Sequence, residues 1–336
     1  MKKRIILITL FVVMLLITGC ENGLSVYSTF AGTDKYQIKI NNTGTIDVFG
    51  QPDAMYDFSG WEGLKSVSVG FGNASGVTND GTVYVTGFAE NGACDVSGWR
   101  DIEMVVFTLY VAYGLKSDGT VVHTYSSFDE DVKRNSEVDK WTNIKQIEAS
   151  MINVVGLKSD GTVVMSETDS AFVPSSYCKE LASWKNIRWI DTSLFLTVGL
   201  NESGKIFYIK NNILSAEYYT EAFDELEGAK KICVGDTFIS GLMPDGTIKV
   251  RYYIKGEEWW SSYYKNSNQL YEKIQERLPD GFKAINKATD IIDIKSYMDC
   301  LLVLKKDGTI VIVSAISAEK EDIKQTDTVH YNDIIS

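Results

Sequence analysis

Chemistry in this chain would have to come from carboxylates. It holds 45 Asp and Glu among 336 residues but only two histidines, His123 and His330. His123 follows a turn in the run VVHTY and reads as a strand histidine rather than a proton shuttle. No G-x-S-x-G, H-E-x-x-H or phosphate-cradling glycine loop occurs, which leaves nucleophilic, zinc and nucleotide chemistry without a starting constellation. Glycoside hydrolysis needs only two carboxylates a few ångströms apart, yet no spacing singles out a pair. Five aspartates recur, Asp80, Asp118, Asp160, Asp245 and Asp307, each directly before a glycine. They lack the alternating carboxylates of a calcium loop, so turn geometry accounts for them and no metal or cofactor is expected. Cys94, Cys178, Cys233 and Cys300 are far apart and without C-x-x-C or histidine partners. They read as small buried hydrophobes, with two disulfides open in an oxidising compartment and their pairing undetermined. The remaining candidates are aromatic: Trp259, Trp260, Tyr263 and Tyr264 crowd into a stretch that also holds Tyr252, Tyr253 and Tyr271. Such rings stack on sugars or anchor protein interfaces, so binding is favoured over catalysis.

The elements that must carry these residues follow from an internal repeat. Gly44, Gly81, Gly119, Gly161, Gly204, Gly246 and Gly308 each have an aliphatic residue four positions before and a β-branched residue two positions after. The clearest copies read GLKSDGTVV, at 114–122 and 156–164. Asp-Gly between apolar runs signals a β-hairpin, type I′ turns requiring positive φ at both central residues. A second phrase, W-x-x-[aliphatic]-x-x-[aliphatic], opens at Trp61, Trp99, Trp141 and Trp184, with degenerate copies at Leu226 and Ala288. One unit is therefore four strands in about 40 to 45 residues, the size of a propeller blade. Seven units predict an all-β, seven-bladed propeller over residues 36–336. Seven hairpins call for seven inner strands where six are visible, and Val329–Ile335 (VHYNDII) is the candidate seventh, pairing back near Ile38 and Ile46. The interval before Gly308 is 62 residues against 37 to 43 elsewhere, which places an insertion at about 251–284 with a short helix over 268–278. Insertions in repeat proteins map to loops and often to binding faces.

The N-terminus reads as a secretory signal: Lys2, Lys3 and Arg4, an uncharged apolar run from Ile5 to Ile17, then Thr18-Gly19-Cys20. This ending resembles a bacterial lipobox, which makes Cys20 the lipidated first residue of the mature chain, and acyl chains on one residue satisfy the requirement for stable anchoring. Residues 20–35 then read as a lipidated tether. The expected location is the outer face of a bacterial cell membrane. Loss of residues 1–19 takes the formal charge from −12 to −15, because three basic residues leave with it. That balance argues against nucleic acid and against adhesion of the domain to anionic lipid.

The GLKSDGTV phrase followed by a W-x-x-I-x-x-[IV] strand resembles the repeats of the regulator-of-chromosome-condensation family, across about residues 36–313. The resemblance implies a seven-bladed propeller. Two departures stand out: the asparagine and glycine-glutamine loop survives only near Asn91-Gly92 and Gly50-Gln51, and the blades are short. Short-bladed secreted bacterial members exist, among them a protein inhibitor that grips a β-lactamase with one face of its ring. The exchange activity of the nuclear members is not implied for a chain outside the cell, and no functional residue of the family maps here. The leading expectation is a non-catalytic surface lipoprotein whose ring binds a macromolecule, with a protein as the first choice. Carbohydrate or cell-wall binding through Trp259, Trp260, Tyr263 and Tyr264 is the alternative, and a propeller hydrolase the third.

Overall fold

The computed structural model describes residues 28–33, 35–88, 95–124, 129–166, 175–210, 217–218, 221–255, 285–298, 300–314 and 328–329. Seven antiparallel sheets of three or four strands follow one another along these residues, and an eighth, two-stranded one pairs Glu217–Tyr218 with Ile254–Lys255 outside the ring series. Each of the seven begins with an inner strand, and these are Phe30–Gly32, Leu64–Gly70, Ile102–Phe107, Ile144–Ala149, Ile187–Thr192, Lys231–Val234 and Ile291–Tyr297. The repeated hairpin supplies the next two strands, as Ala112–Lys116 and Val121–His123 do in the third sheet. The inner strands of successive sheets lie side by side, and the first sheet meets the seventh, so the sheets form a propeller-like ring.

The turn glycines have a double task. All seven have φ between +77° and +90°, the left-handed region that glycine adopts without strain. At Gly119 a Cβ would also lie 3.1 Å from the Cα of Asn143, the residue just before the next sheet. The turn is not type I′, because only the glycine has positive φ. In the second sheet Gly81 N donates to Thr78 O at 3.0 Å and Thr78 N to Thr82 O at 3.0 Å, which is a type I turn closed by a glycine bulge. The glycine carbonyl then accepts from the next sheet: Ile102 N reaches Gly81 O, Ile144 N reaches Gly119 O and Ile187 N reaches Gly161 O, each at 3.0 Å. The other glycine of the phrase is set by packing. A Cβ on Gly114 would come within 2.6 Å of the Trp99 ring, which lies buried across it, and Gly76, Gly156 and Gly199 stand in the same relation to Trp61, Trp141 and Trp184.

The seventh inner strand is Phe30–Gly32, from the stretch expected to be tether, so the ring includes residues before 36. It was missed because three residues carry no W-x-x-aliphatic pattern. Thr328–Val329, which overlaps the expected C-terminal strand at Val329 alone, pairs with Ile310 and Val311 as an outer fourth strand of the last sheet and not with the first. The other six sheets of the ring have three strands among the described residues, where four were expected. Closure is by packing of the first sheet on the seventh: Phe30 and Phe49 are buried with Cys300, Leu302, Leu304 and Ile310. There the turn carbonyl of Gly308 accepts from the Lys39 ammonium at 3.0 Å, in place of the backbone amide used between other sheets.

Candidate functional site

The two ends of the ring differ in kind. At one end lie the Asp-Gly turns, whose carboxylates are occupied: Asp118 Oδ1 accepts from Thr120 N at 2.9 Å and Thr120 Oγ1 at 2.6 Å, and Asp160 and Asp245 do the same with Thr162 and Thr247. The threonine hydroxyl first, and then its amide, hold each of these carboxyls below the usual range. At the other end lie the tips that join inner to second strands. Phe71, Leu109, Tyr110, Met151, Leu194 and Met298 stand there partly or fully exposed. Met298 is 37% exposed and Phe71 takes φ +41°. The tips are tied to one another, Leu109 N donating to Met151 O at 3.1 Å and Asp236 N to Met298 O at 2.9 Å.

Within this crown a cavity of about 110 Å³ runs inward along the ring axis, lined by Phe71, Met151, Leu194 and Met298 at the tips. Deeper, its wall is charged: Glu148, Asp191, Asp236 and Lys295. The repeat itself explains the placement. Ser68, Val106, Glu148, Asp191 and Lys295 each stand seven residues beyond the position that opens the second phrase, and all five line the cavity. Period-2 alternation then sends the residues two positions earlier between neighbouring sheets. Gln146 bonds both backbone groups of Ile190, through Nε2 to O at 2.8 Å and from N to Oε1 at 3.2 Å. Trp189 Nε1 donates to Ile232 O at 2.9 Å, and Lys231 pairs with Asp293.

The charged groups are unequally satisfied. Asp191 accepts from Thr192 N at 2.8 Å and Val234 N at 2.9 Å. Burial, and then the Glu148 charge, still push its carboxyl up to about 7. Asp236, 9% exposed, accepts from Leu194 N at 3.2 Å through one oxygen, and its other oxygen has no partner among the described residues. Burial pushes this carboxyl up to about 6. Glu148 accepts from Gln146 Nε2 at 3.1 Å and from no other donor among the described residues. Burial pulls the Lys295 ammonium down, but the carboxylates of Glu148, Asp293 and Asp191 outweigh it and leave the group above the ordinary lysine value. Three carboxylates thus face one ammonium. No group of three metal-ligating side chains able to hold an ion occurs among the described residues, and no helix among them is long and apolar enough to cross a membrane.

Of the residues singled out from sequence, the seven turn glycines sit at the occupied end. Trp259, Trp260, Tyr263, Tyr264, the 268–278 helix, Cys20, Cys94, His330 and most of the C-terminal strand lie outside the described residues. The chain approaches the insertion from the tip end, where Tyr253 N donates to Thr237 O at 3.1 Å and Tyr253 Oη to the carbonyls of Gly235 and Asp236. Cys233 and Cys300 are buried and Cys178 half-buried, as expected of small hydrophobes. His123, half-buried, contacts Thr124 O and Asp139 as a structural strand residue.

No family model and no curated protein matches the chain. Among solved structures, it is similar to the CRINKLY WD40 ectodomain of an Arabidopsis thaliana receptor kinase, at 11% identity and a TM-score of 0.55, covering 85% of this chain and 93% of that one. The ectodomain of the CR4 receptor kinase from Physcomitrella patens gives 10% identity and the same TM-score of 0.55 over 85% and 73%. Prp20p of Saccharomyces cerevisiae, the yeast RCC1 protein, gives 12% identity and 0.50 over 81% and 75%. At such identities the likeness shows the fold alone, an all-β propeller of the architecture that the repeat implied.

Proposed function

We propose that the chain is a non-catalytic surface lipoprotein, anchored through Cys20, whose ring binds a protein partner at the tip end. One observation carries this reading: the tips present Phe71, Leu109, Tyr110, Met151, Leu194 and Met298 together around the axis, whereas the opposite end uses its side chains on its own turns. A rigid crown of partly exposed apolar and aromatic residues around a polar centre has the make-up of an interface core. Prp20p is described by its binding to Gsp1p and histones, which supports a protein-binding role for a ring of this kind. The described chain leaves the sixth sheet toward the insertion at the tip end, through Tyr253, and Trp259, Trp260, Tyr263 and Tyr264 belong to this proposal on their sequence alone. Those rings also sustain the carbohydrate reading.

The test is capture from surface extracts of the producing cell on the immobilised chain, beside Met151→Glu with Leu194→Glu at the tips and Asp160→Lys at the turns. A protein retained by the wild type and the turn variant but lost on the tip variant is the expected result. Equal retention by all three, or retention of wall polysaccharide alone, overturns the proposal.

A further inference from the structure

We infer that the axial cavity receives a basic side chain, Lys or Arg, projecting from an apolar segment of the protein that docks on the tips. The inference rests on the protein-binding reading above and gives the partner its chemistry. The cavity opens among the apolar tips and ends on charge, so whatever covers the crown also covers Glu148, Asp191 and Asp236. Docking an apolar surface there would strip water from carboxylates that lack donors of their own: one oxygen of Asp236 and one of Glu148 have no hydrogen-bond partner among the described residues. An uncompensated buried charge opposes binding strongly, whereas a cation placed against it reverses the sign. Lys295 does not meet the need. Its ammonium makes no hydrogen bond or close ion pair with any described residue, and it offsets one charge of three. Even with Asp191 in part protonated at neutral pH, an incoming ammonium or guanidinium would find at least one carboxylate in excess, and the five donors of an arginine could bond both vacant oxygens. The whole chain, at −12, favours the approach of such a segment.

The experiment pans a random peptide library displayed on phage against the immobilised full chain in detergent, then measures the enriched peptides by fluorescence anisotropy against point variants. The expected peptides carry Lys or Arg flanked by apolar residues. Asp236→Asn and Glu148→Gln, which preserve shape and the bonds to Leu194 and Gln146, are each expected to weaken binding about tenfold or more. Lys295→Gln, which removes the competing cation, is expected to strengthen it, a gain that misfolding would not produce. Three results overturn the inference: enriched peptides without a basic residue, basic peptides whose affinity is unchanged in Asp236→Asn and Glu148→Gln, or no enrichment at all. If peptides lacking a basic residue are lost on Met151→Glu, the protein-binding reading stands while this one falls.

Discussion

Replacing Asp191 by asparagine should change the pH dependence of stability, not only its level. The native ring holds this carboxyl at about 7, against an ordinary value of 3.8, because burial and the Glu148 charge disfavour ionisation. A carboxyl raised in the folded state is stabilising in its protonated form. Its contribution is therefore intact below about pH 4, is lost as the pH climbs to about 7, and is constant above. Three decades at about 1.36 kcal/mol each set the loss at up to about 4 kcal/mol. Asp236, raised to about 6 by burial, adds to the same slope. Lys295, raised, changes protonation only above the ordinary lysine value, and the turn aspartates, lowered, only below 3.8, so neither acts in this window. Asparagine removes the ionisation but turns an amide N–H₂ toward one of the two donors, Thr192 N or Val234 N, at about 1 kcal/mol. Urea unfolding of the full chain, followed by tryptophan fluorescence, should show Asp191→Asn more stable than wild type by about 2–3 kcal/mol at about pH 8, equal to it at about pH 4.5 and less stable by about 1 kcal/mol at about pH 3. Parallel pH profiles for the two proteins would refute the burial argument.

Three further perturbations probe the ring itself. Gly114→Ala forces a methyl against the Trp99 ring and should destabilise by about 1–3 kcal/mol, whereas Gly98→Ala, with nothing within 4 Å of its Cβ, should be neutral or slightly stabilising; urea midpoints at constant slope decide. Lys39→Met removes the side-chain donor to Gly308 at the closing seam and should cost about 1 kcal/mol, read the same way. Phe30→Ala should cost about 3–5 kcal/mol in thermal unfolding, since Phe30 is fully buried between the first and seventh sheets, while a tether residue would cost nothing.

The ring was legible because its devices repeat. Seven copies of a turn glycine and six of a second phrase fix the sheet number and the direction of each strand, and the structure departs only where the copy is incomplete. Phe30–Gly32 is an inner strand too short to carry the tryptophan phrase, so its burial against Leu302 and Leu304 comes from the far end of the chain. The turn was read as type I′ because Asp-Gly fits that class, yet the lysine and serine before it in KSDG add the residue that makes a type I turn with a bulge. The axial carboxylates escaped notice for a different reason. Glu148 and Asp191 are 43 residues apart and resemble 43 other acidic residues until the repeats are laid in register. Seven positions past each second-phrase opening, the series runs Ser68, Val106, Glu148, Asp191, Cys233 and Lys295, and that column was the available signal.

The same register sets the two ends of the ring apart. At the turn end, each position has structural work that restricts its identity: glycine for φ and for the approach of the next sheet, aspartate and threonine to bond each other, the glycine carbonyl to hold the following strand. A change there disturbs the joint between two sheets, and five of the seven copies accordingly keep Asp-Gly-Thr. At the tip end no one device joins every pair of sheets: Leu109 N bonds Met151 O and Asp236 N bonds Met298 O, while the Asp236 side chain takes Leu194 N, and the copies diverge into Phe71, Tyr110, Met151, Leu194 and Met298. In a ring of near-identical units, the positions without a shared structural task are those that can be shaped to a partner. The tips and the axial column are such positions, and they adjoin each other in one continuous surface.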